Sequence, residues 1–484
     1  MSFRDLFSAR DVTVGKPWQR ILELTIPLLI GNIAQQLYNT VDTIVVGKYV
    51  GDDALSAVGA AGPVVMMIFI LFIGVATGAG ILVSQRFGAK DRDGLSRVIG
   101  NCLTLTVAAC VITTVLGLII VRTPVFFGKD ILQLMNTPEG NIYNWCKTYL
   151  TVIFIGVTGN IFYNILAGIM RGLGDSVSAL LFLLLACGVN IVLDIWFVAG
   201  LGLGVFGVAL ATIIAQFISA VACAIKLFRM KEIFTVTSRE LKLDPFLSKR
   251  IITLGLPSGI TQGIFSLSSL LVQSLTNSMG PIVIATSIVV MRIDGFAMLP
   301  CFSYGNAMTT YTGQNYGAKK LDRLEQGSVQ GILISFITSL ILTTATLLLG
   351  RPLAGIFTDT QQLIDYTAKM LRILAAGYLV MGMTQTVQGY LRGIGDTKTP
   401  MWISIFTSVI MRIPVAYFLA RLTVTEEYPN GRAEAIFISL VSAWVVGFIL
   451  SMIFFFRSRK KLREKVTAEW QLEPDEPIPA AEQV

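Results

Sequence analysis

Twelve stretches of this chain stay apolar for roughly 20 residues or more, the length a helix needs to cross hydrocarbon. They run at about 18–46, 57–83, 98–121, 141–167, 177–199, 204–228, 251–279, 282–311, 328–350, 363–391, 400–421 and 435–456. Short polar segments separate them. Each stretch predicts one transmembrane helix. The first is too long for a signal-peptide core and has charged residues ahead of it, so it reads as a retained span.

The loops between the stretches carry a repeat. Gln85-Arg86-Phe87-Gly88-Ala89-Lys90 returns as Gln314-Asn315-Tyr316-Gly317-Ala318-Lys319, an offset of 229 residues between Gly88 and Gly317. Arg171-Gly172-Leu173-Gly174-Asp175 returns as Arg392-Gly393-Ile394-Gly395-Asp396, an offset of 221 between Gly172 and Gly393. Two tags in one order at nearly one offset indicate duplication. Six spans per repeat is even, so both halves enter the membrane in the same direction. The predicted fold is an all-α polytopic membrane protein with two six-helix lobes. These are residues 1–228 and 251–456, joined by a polar linker at 229–250. A tail at 457–484, basic then acidic with Pro474, Pro477 and Pro479, is expected to be disordered. A structural role suffices for both tags: glycines for tight turns and cations at helix C-termini.

Composition agrees. The chain is 54% hydrophobic and 14% charged, with mean hydropathy +0.70, whereas a soluble domain carries about 25% charged residues. Lys and Arg set the orientation. With both termini cytoplasmic, the outer loops hold only Lys48, Arg122, Lys129, Arg351, Arg421 and Arg432, and all other loop cations fall inside. The net charge of +8 is therefore topology and implies no nucleic-acid partner. No His exists, which excludes a His-based dyad or triad. The six cysteines are scattered through apolar spans without a Cys-x-x-Cys pair, against a disulfide framework or structural zinc. No cofactor is implied, and duplicated membrane proteins are most often transporters.

A carboxylate near mid-membrane costs about 2.5–3.5 kcal/mol on insertion scales and needs a reason. Asp42 lies late in the first span. Asn190 and Asp194 are four apart on the fifth, hence on one helix face. Thr212 lies at similar depth on the sixth, which runs the other way. Two carboxylates, an amide and a hydroxyl form an oxygen-only set. It suits a hard cation such as Na+ or one shared proton. The bland alternative is that each acid merely bonds a neighbouring Ser or Asn. At the repeat offsets Asp42 maps to Leu271 or Val272, Asn190 to Met411 and Asp194 to Val415. The loop tags survive in both halves and the acids in one, which favours function over scaffold.

The second half has its own charges: Arg292 and Asp294 on the eighth span, and Arg412 near Pro414 on the eleventh. Either cation could neutralise Asp294 across helices, as a structural pair or as a gating or substrate element. Gln36, Asn39, Asn164, Gln262, Gln273 and Gln385 are further candidates for a cavity wall. Singly, such residues serve interhelical hydrogen bonding.

Taken together, Val41-Asp42-Thr43, the tags at Gly88-Ala89 and Gly317-Ala318, the two Arg-Gly-x-Gly-Asp loops and Asn190-Ile191-Val192-Leu193-Asp194 resemble the multidrug and toxic compound extrusion (MATE) transporters over about residues 15–456. The resemblance implies two lobes in a V shape and export of amphiphilic or cationic compounds against Na+ or H+. It implies a cation site at Asp42, Asn190, Asp194 and Thr212. Some members carry an acid in the seventh span; residues 251–279 contain none. The expectation is a monomeric, multi-pass bacterial plasma-membrane antiporter in contact with lipid. A lipid-precursor flippase of the related superfamily, an integral-membrane prenyl or acyl transferase, and a channel remain as alternatives.

Overall fold

The computed structural model describes residues 8–124, 130–135, 137 and 140–465. The described residues form helices and connecting turns, with no strand. In chain order they are α1 (Pro17–Tyr49), α2 (Asp52–Gly88), α3 (Arg92–Arg122), the short α4 (Ile131–Leu134), α5 (Asn141–Ile155), α6 (Val157–Gly172), α7 (Ser176–Asp194), α8 (Gly204–Phe228), α9 (Pro245–Ser278), α10 (Pro281–Gly317), α11 (Leu321–Gly355), α12 (Gln361–Gly393), α13 (Lys398–Ile405), α14 (Arg412–Leu422) and α15 (Glu434–Lys465). α5 and α6 meet at a 52° bend at Gly156. π-helical turns continue α7 through Ile195–Gly200 and join α13 to α14 through Phe406–Met411. The rods fall on the twelve expected stretches. Among the described residues, nine helices are long and apolar enough to cross a membrane, or ten with the bent pair. Large apolar side chains such as Leu348, Ile356, Val192 and Leu270 stay exposed. Surface of that kind needs lipid against it.

The chain forms two compact units: Met1–Arg10 with Ile30–Gly259, and Asp11–Leu29 with Ile260–Val484. The sequence repeat divides at the linker, but packing divides inside α1 and α9. The first turns of α1 belong to the second unit and the first turns of α9 to the first. The burial pattern gives the reason. Ile21 and Leu24 are core residues beside Tyr304, Ala307 and Met308. Ile251 and Leu254, 230 positions on, are core residues beside Ala76, Ala79 and Val83.

Hydrogen bonds to the connecting segments secure these entries. In the second unit the Val12 N–H donates to Gln314 Oε1 at 3.0 Å, Lys320 Nζ donates to Thr13 O at 2.9 Å, and Arg323 donates to Gly15 O at 2.6 Å. In the first unit the linker is held on α3. Thr104 Oγ1 donates to Leu241 O at 2.7 Å, and Ser248 Oγ donates to Asn101 Oδ1 at 2.9 Å. At the other end, α15 runs on through Lys465, beyond the apolar stretch that ends near residue 456, because Arg459 and Arg463 both pair with Glu325 of α11. The rest of the expected tail, 466–484, lies outside the described residues.

The repeated tags are helix ends. Gly174 and Gly395 sit at φ +82° and +97°, the left-handed conformation that ends a helix and suits glycine. Asp175 then accepts from the Ser178 N–H and Asp396 from the Thr399 N–H, each at 3.0 Å, capping the next helix. Inside the lobes the tag helices cross closely. A Cβ on Gly168 would lie 2.7 Å from Ala76 O, and one on Gly389 would lie 2.3 Å from Gly305 O. Both pairs are related by the repeat offsets, so α2–α6 and α10–α12 share one contact geometry of the small-residue type.

Gly389→Ala therefore overpacks the α10–α12 crossing and should cost about 1–3 kcal/mol, lowering the unfolding midpoint of detergent-solubilised protein. Gly188→Ala, where an added Cβ meets nothing within 4 Å, should hold or raise the midpoint by helix propensity worth about 1 kcal/mol. Equal effects of the two changes would refute the close crossing.

Candidate functional site

In the first unit, α1, α7 and α8 bring the four expected residues together. Asp42 and Asp194 meet side chain to side chain. Both Oδ1 atoms are buried without a hydrogen-bond partner. Asn190 lies one turn before Asp194. In its satisfied orientation the Asn190 amide donates to Asp194 Oδ2 at 2.8 Å and accepts from the Thr212 N–H at 3.2 Å. Thr212 Oγ1 donates to Val208 O of its own helix at 3.1 Å.

Two tyrosines complete the surroundings. Tyr38, one turn before Asp42, interacts with Thr212 and lies in the field of both acids. Tyr149 of α5 lies in the same field. Spacing could have found Tyr38, since residues four apart share a helix face. Nothing in the sequence marks Tyr149, whose proximity comes from the packing of α5 on α2 and α8. Asp194 is also the residue at which α7 turns π-helical, a local change of register that recurs at functional sites.

Two carboxyl groups in contact at low dielectric do not both remain charged and alone. They share a proton or hold a cation between them. The donor set is entirely oxygen, with two unsatisfied carboxylate oxygens. It fits a hard monovalent ion or a proton equally.

The other candidates stand apart from this cluster. Gln36 is half-buried on α1 and Asn39 exposed, their carbonyls accepting from Thr40 and Thr43. Asn164 turns back to Asn160, donating to its carbonyl at 2.9 Å. In the second unit Gln273 donates to Asn277 Oδ1 at 2.8 Å, while Gln262 accepts through its carbonyl from Ser266. Gln385 borders Gly305. These are contacts along one helix or between neighbouring backbones, and they do not converge.

A second centre does form there. Asp294 of α10 lies beside Tyr378 of α12 and in the field of Arg412. Of the two arginines considered, Arg412 is the one that accompanies Asp294; Arg292 is exposed. Arg412 is buried and follows the π-helical turn. Its Nη1 donates to Ser268 Oγ and Ser269 Oγ of α9, each at 3.5 Å. Ser268 Oγ in turn donates at 2.5 Å to Ser408 O, inside that turn. The serines had no distinguishing sequence signal. Asp294 Oδ1 and Arg412 Nε are buried without hydrogen-bond partners.

Removing one member of a buried charge pair strands the other, at about 3–5 kcal/mol, whereas removing both is far milder. Arg412→Met should therefore lower the unfolding midpoint more than Arg412→Met combined with Asp294→Leu. A double variant less stable than the single would show that the two charges do not compensate each other.

With this geometry in hand, known proteins provide a comparison. The MatE family model matches residues 27–196 and again 257–418. The chain is 29% identical over 416 residues to the probable multidrug resistance protein YoeA of Bacillus subtilis (strain 168), covering 84% of this chain and 88% of that protein. It is 26% identical over 458 residues to the probable multidrug resistance protein NorM of Thermotoga maritima, covering 94% and 93%. Its fold is similar to the crystal structure of MATE in the bent conformation, with TM-score 0.83, 27% identity, and coverage of 94% of this chain and 98% of that one. One family model used twice, once on each half of a duplicated helical membrane protein, accounts for both the repeat and the fold: the chain belongs to the MatE family of multi-pass membrane transporters.

Proposed function

We propose that this protein is a secondary antiporter of the bacterial plasma membrane. It exports small amphiphilic or cationic organic compounds in exchange for Na+ or H+. The observation that carries the reading is the contact between Asp42 and Asp194, each with an unpartnered buried oxygen. Relatives named for multidrug resistance support the substrate class. The basic loops and tail support cytoplasmic termini.

The mechanism follows from charge. Without a cation, two adjoining carboxylates repel each other in low dielectric and favour an arrangement that separates or hydrates them. With one proton or Na+, the pair drops from two negative charges to one, its mutual repulsion is relieved, and α1, α7 and α8 can close around it. Asn190 fixes Asp194 and reaches the α8 backbone, so a change at the acids is passed directly to α8. Coupling requires the cation to prefer one arrangement of the transporter; equal affinity for both would drive nothing. In the second unit Asp294 lies in the field of the buried Arg412, whereas the Asp42–Asp194 pair has two acids in contact and is the better centre to gain or lose a cation.

Ethidium efflux from proteoliposomes under a Na+ gradient or a pH gradient, imposed separately, tests this. Wild type should respond to one gradient. Asp42→Asn should lose driven efflux by at least about tenfold, more than 1.4 kcal/mol of lost driving interaction, with an unchanged unfolding midpoint. Efflux that keeps its full ion dependence in Asp42→Asn would overturn the assignment. Absence of efflux under both gradients, with binding of a lipid pyrophosphate, would favour the flippase.

A further inference from the structure

A cavity with room for about one water molecule lies beside the acid pair, lined by Gln35, Tyr38, Leu183, Cys187, Asn190 and Gln216 among others. Its position follows from helix direction. On α1, Gln35 and Tyr38 precede Asp42; on α7, Leu183 and Cys187 precede Asp194. On α8, which runs oppositely, Gln216 follows Thr212. In all three helices the lining residues therefore lie on the same side of the acid pair, the side of the tag loops. Seven residues from Asp42 to Gln35 span about 10 Å along the axis. The spacings of three and four put these residues on the same helix faces as the site.

Two contacts border the cavity. Toward the acids, Tyr38 lines it, beside Thr212. Toward the tag loops, Leu180 and Leu183 close on Gly31 of α1, where an added Cβ would lie 3.4 and 3.5 Å from their methyl groups. Gln216 Oε1, within the cavity, is buried with no hydrogen-bond partner. A small polar cavity that holds an unspent acceptor and adjoins the acid pair is suited to receive a water or a partly hydrated cation.

We propose that this chamber is a station on an exit route for the coupling cation. It carries the ion from Asp42–Asp194, past Tyr38, between Gln35 and Gln216, and out through the Leu180–Leu183 closure. The route leads to the face bearing the basic loops, the cytoplasm on the positive-inside reading. The proposal rests on the cation-coupled function above, and it places the exit within the first unit. Gln216 and Gln35 act as transient oxygen ligands on that route and not as members of the resting site.

The native Cys187 reports on the chamber. In full-length protein with the other five cysteines replaced, a membrane-impermeant cationic methanethiosulfonate is added to one face of oriented proteoliposomes. Cys187 should react from the basic-loop face and not from the other. Leu183→Ser should speed the reaction and Gly31→Leu should slow it, each severalfold. In parallel, Gln216→Leu should slow cation-driven efflux at least about tenfold with unchanged cation affinity at the acid pair, while Gln216→Glu should retain it. Reaction only from the opposite face, no reaction from either, or joint loss of affinity and efflux in Gln216→Leu would overturn the station. Labelling requires no transport, so it judges the chamber even if wild type proves to bind no cation, the result that would sink the antiport reading instead.

Discussion

In hydrocarbon a polar group has no water to fall back on, so each one must be answered inside the protein or remain as a functional group. Most of this chain obeys by local means. Thr and Ser hydroxyls along the spans donate to carbonyls three or four residues back, as Thr106 does to Cys102, and a few, such as Thr343 to Ala375, donate across helices. Glycines bring backbones together where a side chain would hold them apart. Against that background the unpartnered buried atoms include members of both acidic centres: Asp42 and Asp194 in one unit, Asp294 and Arg412 in the other.

The two units solve the same packing problem and diverge in chemistry. Caps at Asp175 and Asp396, left-handed turns at Gly174 and Gly395, and the crossings at Gly168 and Gly389 are shared. The first unit then sets two like charges together, which is stable only with a cation or a proton. The second sets opposite charges near each other, which is neutral by construction. Crowded like charges and nearby opposite charges are thus divided between units built on one plan.

Sequence reasoning read the helices well because lipid enforces a simple rule: a long apolar run has one outcome. It also brought Asp42, Asn190, Asp194 and Thr212 together, because carboxylates in such runs are costly and helical spacing fixes which share a face. It could not reach Tyr149, Ser268 or Tyr378, ordinary span residues whose importance arises from which neighbour the tertiary packing supplies. It treated Arg292 and Arg412 alike, since depth along a helix says nothing of which side faces lipid. It ended the last helix at the end of the apolar stretch. Ion pairing of Arg459 and Arg463 with Glu325, nonlocal by more than a hundred residues, carries it further.

The exchange of helix beginnings bears on ancestry. Asp11–Leu29 completes the core of the second unit, and the start of α9 completes the first. A half-length ancestor, before the gene doubled, would have carried an opening segment that its own six-helix body did not house. Such a chain could fill its core only by lending that segment to a second copy and borrowing one back, a swapped dimer. Fusion of two copies would then have turned that partnership into a covalent one, leaving each half free to mutate its charges separately.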